Sequence, residues 1–283
     1  MKDSLFSRTF SLNIRGNLFD LNTPKVMGVL NITPDSFYEG SRVTSTSTIL
    51  QKAENMLNNG ADILDIGGFS TRPGAKEVSF DEELERVIPA TEAIIKAFPS
   101  AIISIDTFRS GVAEKAIAAG ASIINDISGG QADELMFETV ARLKVPYILM
   151  HMRGTPTTMM KDTNYENVTK EVLQFFARQT NKLKEMGHSD IILDPGFGFS
   201  KTLEQNYELL RHLNDLLIVG YPVLIGVSRK SMIHKLLKTT PEMALNGTNI
   251  LNFAALEKGA RILRVHDVRE AQETIKLFSV LQG

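Results

Sequence analysis

The sequence predicts an α/β protein, a (β/α)8 TIM barrel preceded by an N-terminal β-hairpin. Short runs rich in Ile, Val and Leu alternate along the chain with longer segments of helical periodicity. About eight such strand–helix units fit a chain of 283 residues, as a barrel of this kind requires. Most runs show no polar alternation, which is typical of parallel strands buried on both faces.

The eight apolar runs are the predicted barrel strands. They are Val26–Leu30, Ile63–Ile66, Ile102–Ile105, Ser122–Asn125, Tyr147–Met150, Ile191–Leu193, Val223–Val227 and Ile262–Val265. An open doubly wound sheet is the alternative arrangement of such units. The first strand–helix loop lacks a G-x-G-x-x-G fingerprint, and this favours the barrel.

Residues 8–22 come before the first barrel strand and alternate around Arg15-Gly16-Asn17. This pattern predicts a hairpin, which we expect to cap the bottom of the barrel. No linker long enough to separate domains follows. We therefore expect one domain over residues 1–283, with the barrel itself over residues 25–283.

Helix boundaries can be predicted where capping signals accompany the apolar periodicity. The signals are a stripe from Ile49 to Leu57 closed by Gly60, a capping box Ser79–Glu82 opening a helix that ends before Pro99, a stripe from Tyr165 to Met186 closed by Gly187, and a capping-box pattern Asp267–Glu270 that opens the last helix.

Composition excludes several classes of function. Net charge is −2, without the basic stripe of a nucleic-acid-binding protein. Cysteine is absent, which excludes disulfides, thiolate metal sites and a cysteine nucleophile. No run reaches the ~18 apolar residues of a membrane helix, and the first residues lack a secretion-signal pattern. We expect a cytoplasmic protein that binds neither membrane nor nucleic acid.

Polar side chains follow the strand runs, where a barrel of this type carries its active site. They are Asn31, Asp35, Ser70, Thr71, Arg72, Asp106, Thr107, Asn125, Asp126, His151, Asp194, Ser228, Arg229, Lys230, Ser231, Arg264, His266 and Asp267. A stable barrel does not require this pattern, so the sequence predicts a polar binding site at that rim.

Some of these residues have an equally good structural explanation. Thr107, Asp126 and Asp267 could simply be N-caps of the following helices. N-capping does not explain Arg72, Lys230 and Arg264, because a cation at a helix N-terminus opposes the macrodipole. We therefore expect an anionic ligand near these cations. His151 and His266 are weaker signals, since a neighbour could satisfy either one.

Asp106, Asn125 and Asp194 end three different strands. Buried contacts with the local backbone are one explanation of this set. The other is a fused heterocycle whose N–H donors would be matched by carboxylates and an amide deep in the mouth of the barrel.

Eight motifs together resemble, in order, those of the dihydropteroate synthase family. They are GVLNITPDSFYEGSR, DIGGFSTRPGA, IDTFRS, IINDISG, LMHMRGTP, DPGFGFSKTLEQNYELL, GVSRKSMI and RVHDV. The resemblance covers nearly the whole chain from about residue 25. It implies a transferase that condenses 6-hydroxymethyl-7,8-dihydropterin diphosphate with 4-aminobenzoate, requires Mg2+, and yields 7,8-dihydropteroate and diphosphate.

The resemblance also implies roles for individual residues. By motif match, the pterin would be bound by Asp106, Asn125, Asp194 and Lys230. The diphosphate would be held by Asn31, Thr71, Arg72, Arg264 and His266, with Asn31 beside the Mg2+. The aminobenzoate would contact Phe37, Pro73, Arg229 and Ser231. Catalysis would fall to Asp35, Lys230, Arg264 and His266.

The reaction that the resemblance implies explains why no nucleophile is needed. Diphosphate would leave first, and the resulting cationic pterin methylene would then be attacked by the amine. The site must stabilise the departing anion and exclude water. The NITPDSFYEG segment would be a lid in which Asp35 faces the developing cation and Phe37 stacks near the amine.

Two positions depart from the family pattern. Phe69 replaces the glutamate of the common G-G-E-S-T-R-P-G, and YEGS at residues 38–41 replaces the more usual S-D-G-G. Phe69 removes a carboxylate near the predicted aminobenzoate side. We expect it to alter loop order and the response to sulfonamides without abolishing activity.

Two other functions stay open on the sequence. A methyltetrahydrofolate–corrinoid methyltransferase would share the barrel and the pterin pocket, but has no use for the predicted diphosphate and aminobenzoate residues. A catalytically silent paralogue that only binds pterin is supported by Phe69 and opposed by Asn31, Asp35 and Lys230. The family is usually dimeric through its last helices, so a homodimer is also expected.

Overall fold

The computed structural model describes residues 9–32, 42–69 and 78–282, and within them a closed barrel of eight parallel strands. A two-stranded antiparallel hairpin comes first, formed by β1 (Ser11–Ile14) and β2 (Asn17–Asp20). The barrel strands are β3 (Lys25–Asn31), β4 (Ile63–Gly67), β5 (Ile103–Asp106), β6 (Ile123–Asp126), β7 (Tyr147–Met150), β8 (Ile191–Asp194), β9 (Val223–Ile225) and β10 (Ala260–Val265). Pairing runs in sequence order, and β10 closes the ring against β3.

Helices alternate with the barrel strands. They are α1 (Arg42–Asn58), α2 (Phe80–Ala97), α3 (Ser110–Ala118), α4 (Met136–Leu143), α5 (Val168–Glu185), α6 (Leu203–Arg211), α7 (Ser231–His234), α8 (Leu245–Glu257) and α9 (Val268–Gln282). Short 3-10 helices cover Met159–Lys161 and Leu213–Val219. Across the described residues, no helix is both long enough and apolar enough to cross a membrane.

Every predicted strand coincides with a barrel strand, within a few residues at its ends. The closed ring confirms the barrel and excludes the open doubly wound sheet. The capping box at the start of α2 is also confirmed: the Ser79 hydroxyl accepts from the Glu82 amide at 3.2 Å, and the Glu82 carboxylate accepts from the Ser79 amide at 2.8 Å.

The predicted start of the long fifth helix was too early. Helix α5 begins at Val168, where the side chain of Asn167 accepts from the Lys170 amide. Tyr165 precedes this cap and lies outside the helix. Its ring instead packs under the guanidinium of Arg153, 3.7 Å from ring centroid to Cζ. Helical spacing alone could not separate a capping loop from the first turn.

The hairpin closes the bottom of the barrel as predicted. Its turn residues Arg15 and Gly16 have φ angles of 52° and 81°, the left-handed pair that a tight two-residue hairpin turn needs. Arg15 donates to the carbonyls of Ala101 and Gly120, at 3.3 and 2.6 Å, in loops at the bottom of the barrel. The turn is therefore tied to the barrel by charge-assisted hydrogen bonds.

An apolar floor fills the lower part of the barrel. Three hairpin side chains, Leu12, Ile14 and Leu21, pack against inward-facing barrel residues from seven strands. Those are Met27, Ile63, Ile123, Ile148, Ile192, Leu224 and Ile262. Side chains two residues further along each strand also face inward, one layer closer to the C-terminal mouth. Several of that next layer are polar, so the floor separates the hairpin from a polar mouth.

Leu12→Ala is expected to lower the free energy of unfolding by about 2–4 kcal/mol, because it leaves a cavity in the floor. Leu12 is 2% exposed, whereas Leu18 on the same hairpin is 79% exposed. Leu18→Ala is the matched control and should change stability by less than about 0.5 kcal/mol. Urea denaturation of both variants measures the difference. Equal small effects would mean that the hairpin is not part of the cooperative core.

Candidate active site

The polar layer above the floor forms the candidate site. Asp65, Asn125, Asp194 and Arg264 each lie two residues beyond a floor residue on β4, β6, β8 and β10. Asp106 ends the intervening strand β5. Alternation within the strands thus converts a linear sequence pattern into one ring of inward-facing polar groups. Three predicted pterin residues, Asp106, Asn125 and Asp194, belong to this ring.

Arg264 connects the ring. Its Nε donates to Oδ2 of Asp65 at 2.6 Å, and its Nη2 donates to Oδ2 of Asp106 at 2.8 Å. Nδ2 of Asn125 donates to the same Asp65 oxygen at 3.1 Å. The guanidinium therefore links a residue predicted to bind pterin with the fully buried Asp65, which the sequence reasoning missed.

Electrostatics in this cluster are set by burial. Burial raises the pKa of Asp106 to about 7, with Arg264 opposing the rise and the nearby Asp65 carboxylate adding to it. For Arg264, burial opposes the charge, but the two carboxylates outweigh it and raise the pKa. Arg264 thus stays protonated, while Asp106 changes charge close to neutral pH.

Asp194 and Lys230 form the second polar pair of the mouth. Oδ1 of Asp194 accepts from the amide of Gly196 at 2.8 Å, and the ammonium of Lys230 donates to the carbonyl of Phe197 at 2.6 Å. Burial raises the pKa of Asp194, which Lys230 opposes. Burial lowers the pKa of Lys230 to about 8, and the charge of Asp194 works against this fall.

Lys230 also lies against the ring of Phe199 and beside two glycines, Gly198 and Gly226. Its ammonium is 4.8 Å from the centroid of Phe199. A Cβ added to Gly198 would lie 3.2 Å from the Lys230 side chain, so a glycine there leaves room for the lysine stem. Phe199 could not be singled out from the sequence, because one phenylalanine in a glycine-rich loop has no distinctive spacing.

His266 lies at the exposed edge of the mouth, and Ser228 orients it. Oγ of Ser228 accepts from the His266 amide at 3.2 Å and lies 3.0 Å from its Nδ1. A serine hydroxyl that donates to Nδ1 places the ring proton on Nε2. Desolvation and the charge of Arg264 lower the pKa of His266, which favours a neutral imidazole with Nε2–H as a donor.

The prediction that Arg264 lies at a helix N-terminus was wrong. Arg264 lies inside β10 rather than at a helix N-terminus, and protein carboxylates balance its charge. Its Nη1 makes no hydrogen bond within the described part of the chain, so one edge of the guanidinium stays available to an anion. Lys230 does precede a helix, the four-residue α7. Arg72 lies outside the described residues.

Arg229 is engaged by the protein itself. Its Nε and Nη2 donate to the two carboxylate oxygens of Asp267 at 2.8 and 2.7 Å, and its Nη1 donates to the carbonyls of Pro241 and Glu242. This fork ties the loop after β9 to the start of α9. The predicted contact of Arg229 with an aminobenzoate carboxylate would have to compete with Asp267. Ser231, the first residue of α7, is half-buried nearby in the chain.

Asn31 ends β3 beside the polar ring and is exposed. A Cβ added to Gly67 on the neighbouring strand would lie 3.4 Å from Oδ1 of Asn31 and 3.6 Å from Cβ of Asp106. No cluster of three or more acidic or histidine side chains suited to a metal occurs among the described residues. A lone amide oxygen fits Mg2+ only when substrate phosphates and waters complete its shell, which is how Mg2+ commonly binds.

Five residues with predicted roles, and Ser70 of the predicted rim, lie outside the described residues. The five are Asp35, Phe37, Thr71, Arg72 and Pro73. Their predicted roles in the lid, the diphosphate site and the aminobenzoate site stay predictions.

The residues with alternative structural explanations divide among several roles. Oγ1 of Thr107 accepts from the Arg109 amide ahead of α3, a local turn contact. Asp126 accepts from the amides of Ser128 and Gly130 and from the Tyr147 hydroxyl, so it orders the loop after β6. His151 is buried with Nδ1 3.1 Å from Nζ of Lys201, so a neighbour does satisfy it.

Phe69 belongs to an apolar group at the mouth, which we call the mouth cluster. Its ring meets that of Phe108 edge-on, with centroids 5.3 Å apart. Phe69, Phe108 and Phe199 pack against four buried side chains, namely Ile127, Met150, Met152 and Met159. Replacing the common glutamate by Phe69 therefore extends an apolar wall of the mouth.

Sequence reasoning missed three residues of this region, namely Asp65, Lys201 and Phe199. Asp65 had a usable signal, because a carboxylate interrupts an otherwise apolar strand. Lys201 had none, since a lysine in a loop is ordinarily exposed, whereas this one is 2% exposed. Their contacts join residues far apart in the chain.

Comparison with known proteins identifies the family of the chain. Residues 27–266 match the family described as pterin binding enzyme. The dihydropteroate synthase of Haemophilus influenzae is 43% identical over 261 residues, 92% of this chain and 94% of that protein. The Synechocystis dihydropteroate synthase is 46% identical over 259 residues, 90% of this chain and 89% of that protein.

Solved structures give the same result. Yersinia pestis dihydropteroate synthase in complex with a sulfonamide drug superposes with a TM-score of 0.89 at 40% identity, covering 96% of this chain and 99% of that one. The Xanthomonas albilineans dihydropteroate synthase with 4-aminobenzoic acid gives 0.89 at 37% identity, covering 98% and 99%. By sequence and by structure, this chain belongs to the dihydropteroate synthases of the pterin-binding enzyme family.

Proposed function

We propose that the polar ring, which includes Arg264, and Lys230 beside it bind the substrates of dihydropteroate synthesis. The chain condenses 6-hydroxymethyl-7,8-dihydropterin diphosphate with 4-aminobenzoate to give 7,8-dihydropteroate and diphosphate. The observation that carries the residue assignment is the mouth itself, where buried carboxylates and an amide lie beside Arg264 and Lys230. This pairing suits a substrate with a hydrogen-bonding heterocycle at one end and an anion at the other.

The pterin end is assigned to Asp106, Asn125, Asp194 and Lys230. A pterin ring carries several N–H donors, and the carboxylates are acceptors for them. Lys230 supplies donors for the ring acceptors. Buried polar groups reject a ligand that cannot match their hydrogen bonds, so this end determines specificity.

The diphosphate end is assigned to Asn31, Thr71, Arg72, Arg264 and His266. Support comes from Nη1 of Arg264, which has no partner among the described residues, and from the neutral His266 ring with its Nε2–H donor. Asn31 would hold Mg2+ together with substrate oxygens. When bound, Mg2+ supplies Lewis-acid stabilisation of the leaving diphosphate.

Diphosphate departure comes before amine attack in the proposed order. Arg264 and His266 stabilise the departing anion by fixed donors, which need no reorganisation during the step. In this order Asp35 would face the developing pterin cation, and Phe37 would stack near the incoming amine. Water must be kept out until the amine arrives, and the mouth cluster supplies an apolar wall for this purpose.

The aminobenzoate end is assigned to Phe37, Pro73, Arg229 and Ser231. Ser231 follows Lys230 directly and begins α7, so its position is set by the same loop. Arg229 contributes only if an aminobenzoate carboxylate displaces one of its contacts with Asp267. The Xanthomonas albilineans structure with 4-aminobenzoic acid supports this substrate.

A homodimer and a cytoplasmic location complete the proposal. Exposed apolar side chains on α8 and α9, including Ile250, Leu277, Val280 and Leu281, offer a surface for a second copy. The silent paralogue is the second candidate function, favoured only by Phe69. The methyltransferase has no support from the relatives named above.

Pyrophosphate release decides between synthase and silent paralogue. Purified protein with the pterin diphosphate and 4-aminobenzoate is expected to release pyrophosphate and form dihydropteroate in equal amounts, and only with Mg2+. Chelation of Mg2+ should abolish both, because the leaving anion then loses its main stabilisation. Pterin binding without release would favour the silent paralogue.

The acid limb of kcat/KM for the pterin diphosphate is expected to depend on Asp106. Since burial raises its pKa to about 7 and the carboxylate is the accepting form, activity should rise as pH increases through 7. Above about 8, the loss of the Lys230 proton should lower it again. Asp106→Asn cannot titrate, so its rise near pH 7 should be shallower and its kcat/KM roughly 10–100-fold lower.

The matched control for this profile is Asp215→Asn. Asp215 is exposed and pairs with His212, away from the mouth. Its profile should match that of the native protein. An unaltered acid limb in Asp106→Asn would assign the titration to another group.

Phe69→Glu is expected to change the dissociation constant of a sulfonamide such as sulfathiazole by at least about threefold. The substitution places a carboxylate in the mouth cluster and removes the edge contact with Phe108. Phe69→Leu keeps the wall apolar and should stay within about twofold of the native value. Calorimetric titration measures both constants. Equal affinities for the native and Glu forms would reject a role for Phe69 in the drug response.

A further inference from the structure

Lys201 is a buried lysine that no step of the proposed mechanism uses. Its ammonium lies beneath the loop of residues 195–200 that follows β8. Three backbone carbonyls accept from it, those of Phe199 at 3.0 Å, Gly196 at 3.1 Å and His151 at 3.4 Å. Nδ1 of His151 lies 3.1 Å away. The ammonium is thus surrounded by three carbonyl oxygens and one ring nitrogen, which is a specific coordination and not a chance contact.

The loop above Lys201 has an uncommon backbone. Gly196, Gly198 and Ser200 all have positive φ angles, of 69°, 82° and 48°. A Cβ at Gly196 would lie 2.1 Å from the His151 carbonyl, so the loop passes directly against the end of β7. This path turns the carbonyls of Gly196 and Phe199 inward. Such a conformation persists only where the surroundings fix it, and Lys201 supplies the donors.

The same loop holds both members of the second polar pair. The Gly196 amide donates to Asp194, and the Phe197 carbonyl accepts from Lys230 at 2.6 Å. The Phe199 ring lies under the Lys230 ammonium. Lys201 therefore holds the carbonyls of Gly196 and Phe199 from below, while other groups of the same loop contact Asp194 and Lys230, namely the Gly196 amide, the Phe197 carbonyl and the Phe199 ring.

Charge links Lys201 to the same pair. Burial lowers the pKa of Lys201 to about 7, opposed by Asp194 on β8 and assisted by Lys230 after β9 and Arg153 after β7. His151, at the end of β7, has its pKa lowered by burial and by Lys201, so its neutral ring accepts from the ammonium. Lys201 in turn lowers the pKa of Asp194.

We propose that Lys201 is a positioning residue for pterin recognition, which fixes the loop of residues 195–200 so that Asp194 and Lys230 keep their places. The inference rests on the pterin role assigned above to those two residues. Lys201 itself touches no substrate in this proposal. It acts through the loop backbone and through its charge on Asp194.

Lys201→Met keeps the length of the side chain and removes its donors and charge. Two inward carbonyls then lose their partner, and buried carbonyls without partners force the loop to rearrange. The Phe197 carbonyl moves with the loop and no longer holds Lys230. Loss of the positive charge also raises the pKa of Asp194, so more of its carboxyl is protonated at a given pH.

The test measures binding of 6-hydroxymethylpterin, a probe without diphosphate, by calorimetry from pH 6 to 8.5. Lys201→Met is expected to raise the dissociation constant at pH 7 by about tenfold or more. Asp106 contributes to the pH midpoint of binding in both proteins. The midpoint of the Met variant should lie higher than the native one, because Lys201 carries its charge below about pH 7 and loss of that charge raises the pKa of Asp194. A residue with only a structural role would lower the melting temperature and leave this pH midpoint unchanged.

Tyr165→Phe is the matched control. The Tyr165 hydroxyl lies 3.3 Å from Oγ of Ser200, so this variant removes a contact from the same loop without affecting the inward carbonyls. Its pterin affinity should stay within about twofold of native. An equal loss in both variants would assign the effect to general loosening of the loop and overturn the proposal.

Lys201→Gln is the variant to measure if Lys201→Met does not fold. A glutamine amide offers two N–H donors but has no charge, so affinity should fall less while the pH midpoint still rises. Native affinity and an unshifted midpoint in either folded variant would overturn the positioning role alone. Failure of the native protein to bind the probe would instead overturn the pterin assignment itself.

Discussion

The shared guanidinium of Arg264 is the interaction on which the mouth of the barrel depends. Asp65 is fully buried, and a lone carboxylate at such depth would be prohibitively costly. Arg264 bonds to Asp65 and Asp106 together, and Asn125 bonds to Asp65. Breaking such a cluster by removing one partner is far more costly than its net contribution to stability. The cluster therefore fixes the positions of Asp106, Asn125 and Arg264 relative to one another.

The floor below this cluster makes the polar ring possible. Apolar side chains from seven strands, capped by the hairpin, exclude water from beneath the site. The polar groups are therefore closed off on the hairpin side of the barrel. The raised pKa of Asp106 and the lowered pKa of Lys230 both follow from this enclosure. The apolar floor thus contributes to the pKa shifts of the polar groups above it.

Stabilisation of charge is the common feature of the site residues. The chain has no cysteine, and its polar mouth presents carboxylates, an amide and cations around an apolar wall. Such a set matches a reaction in which an anion leaves a cationic centre, and it makes a protein nucleophile unnecessary. The loop after β8 joins the two halves of this arrangement, since Lys201 holds it from below and Lys230 contacts it from above.

Much of the fold could be predicted from local sequence. Uninterrupted apolar runs located all eight barrel strands, and Ser79 with Glu82 located the start of α2, because neighbours in sequence set these features. Strand ends also indicated that Asp106, Asn125 and Asp194 would lie on one rim, and the structure brings them into the polar ring. Where local signals compete, the prediction failed, as at Tyr165, whose helical spacing continues into a loop.

Local sequence is sufficient to specify the barrel, the hairpin and the polar rim at the strand ends, because apolar runs and capping signals act between near neighbours. The pairing of the charges depends on the folded barrel. Arg264 reaches Asp65 across 199 residues, Lys201 reaches His151 across 50, and Arg229 reaches Asp267 across 38. Closing the barrel brings these groups together in a low-dielectric interior, where burial, which no local pattern encodes, sets both their partners and their protonation.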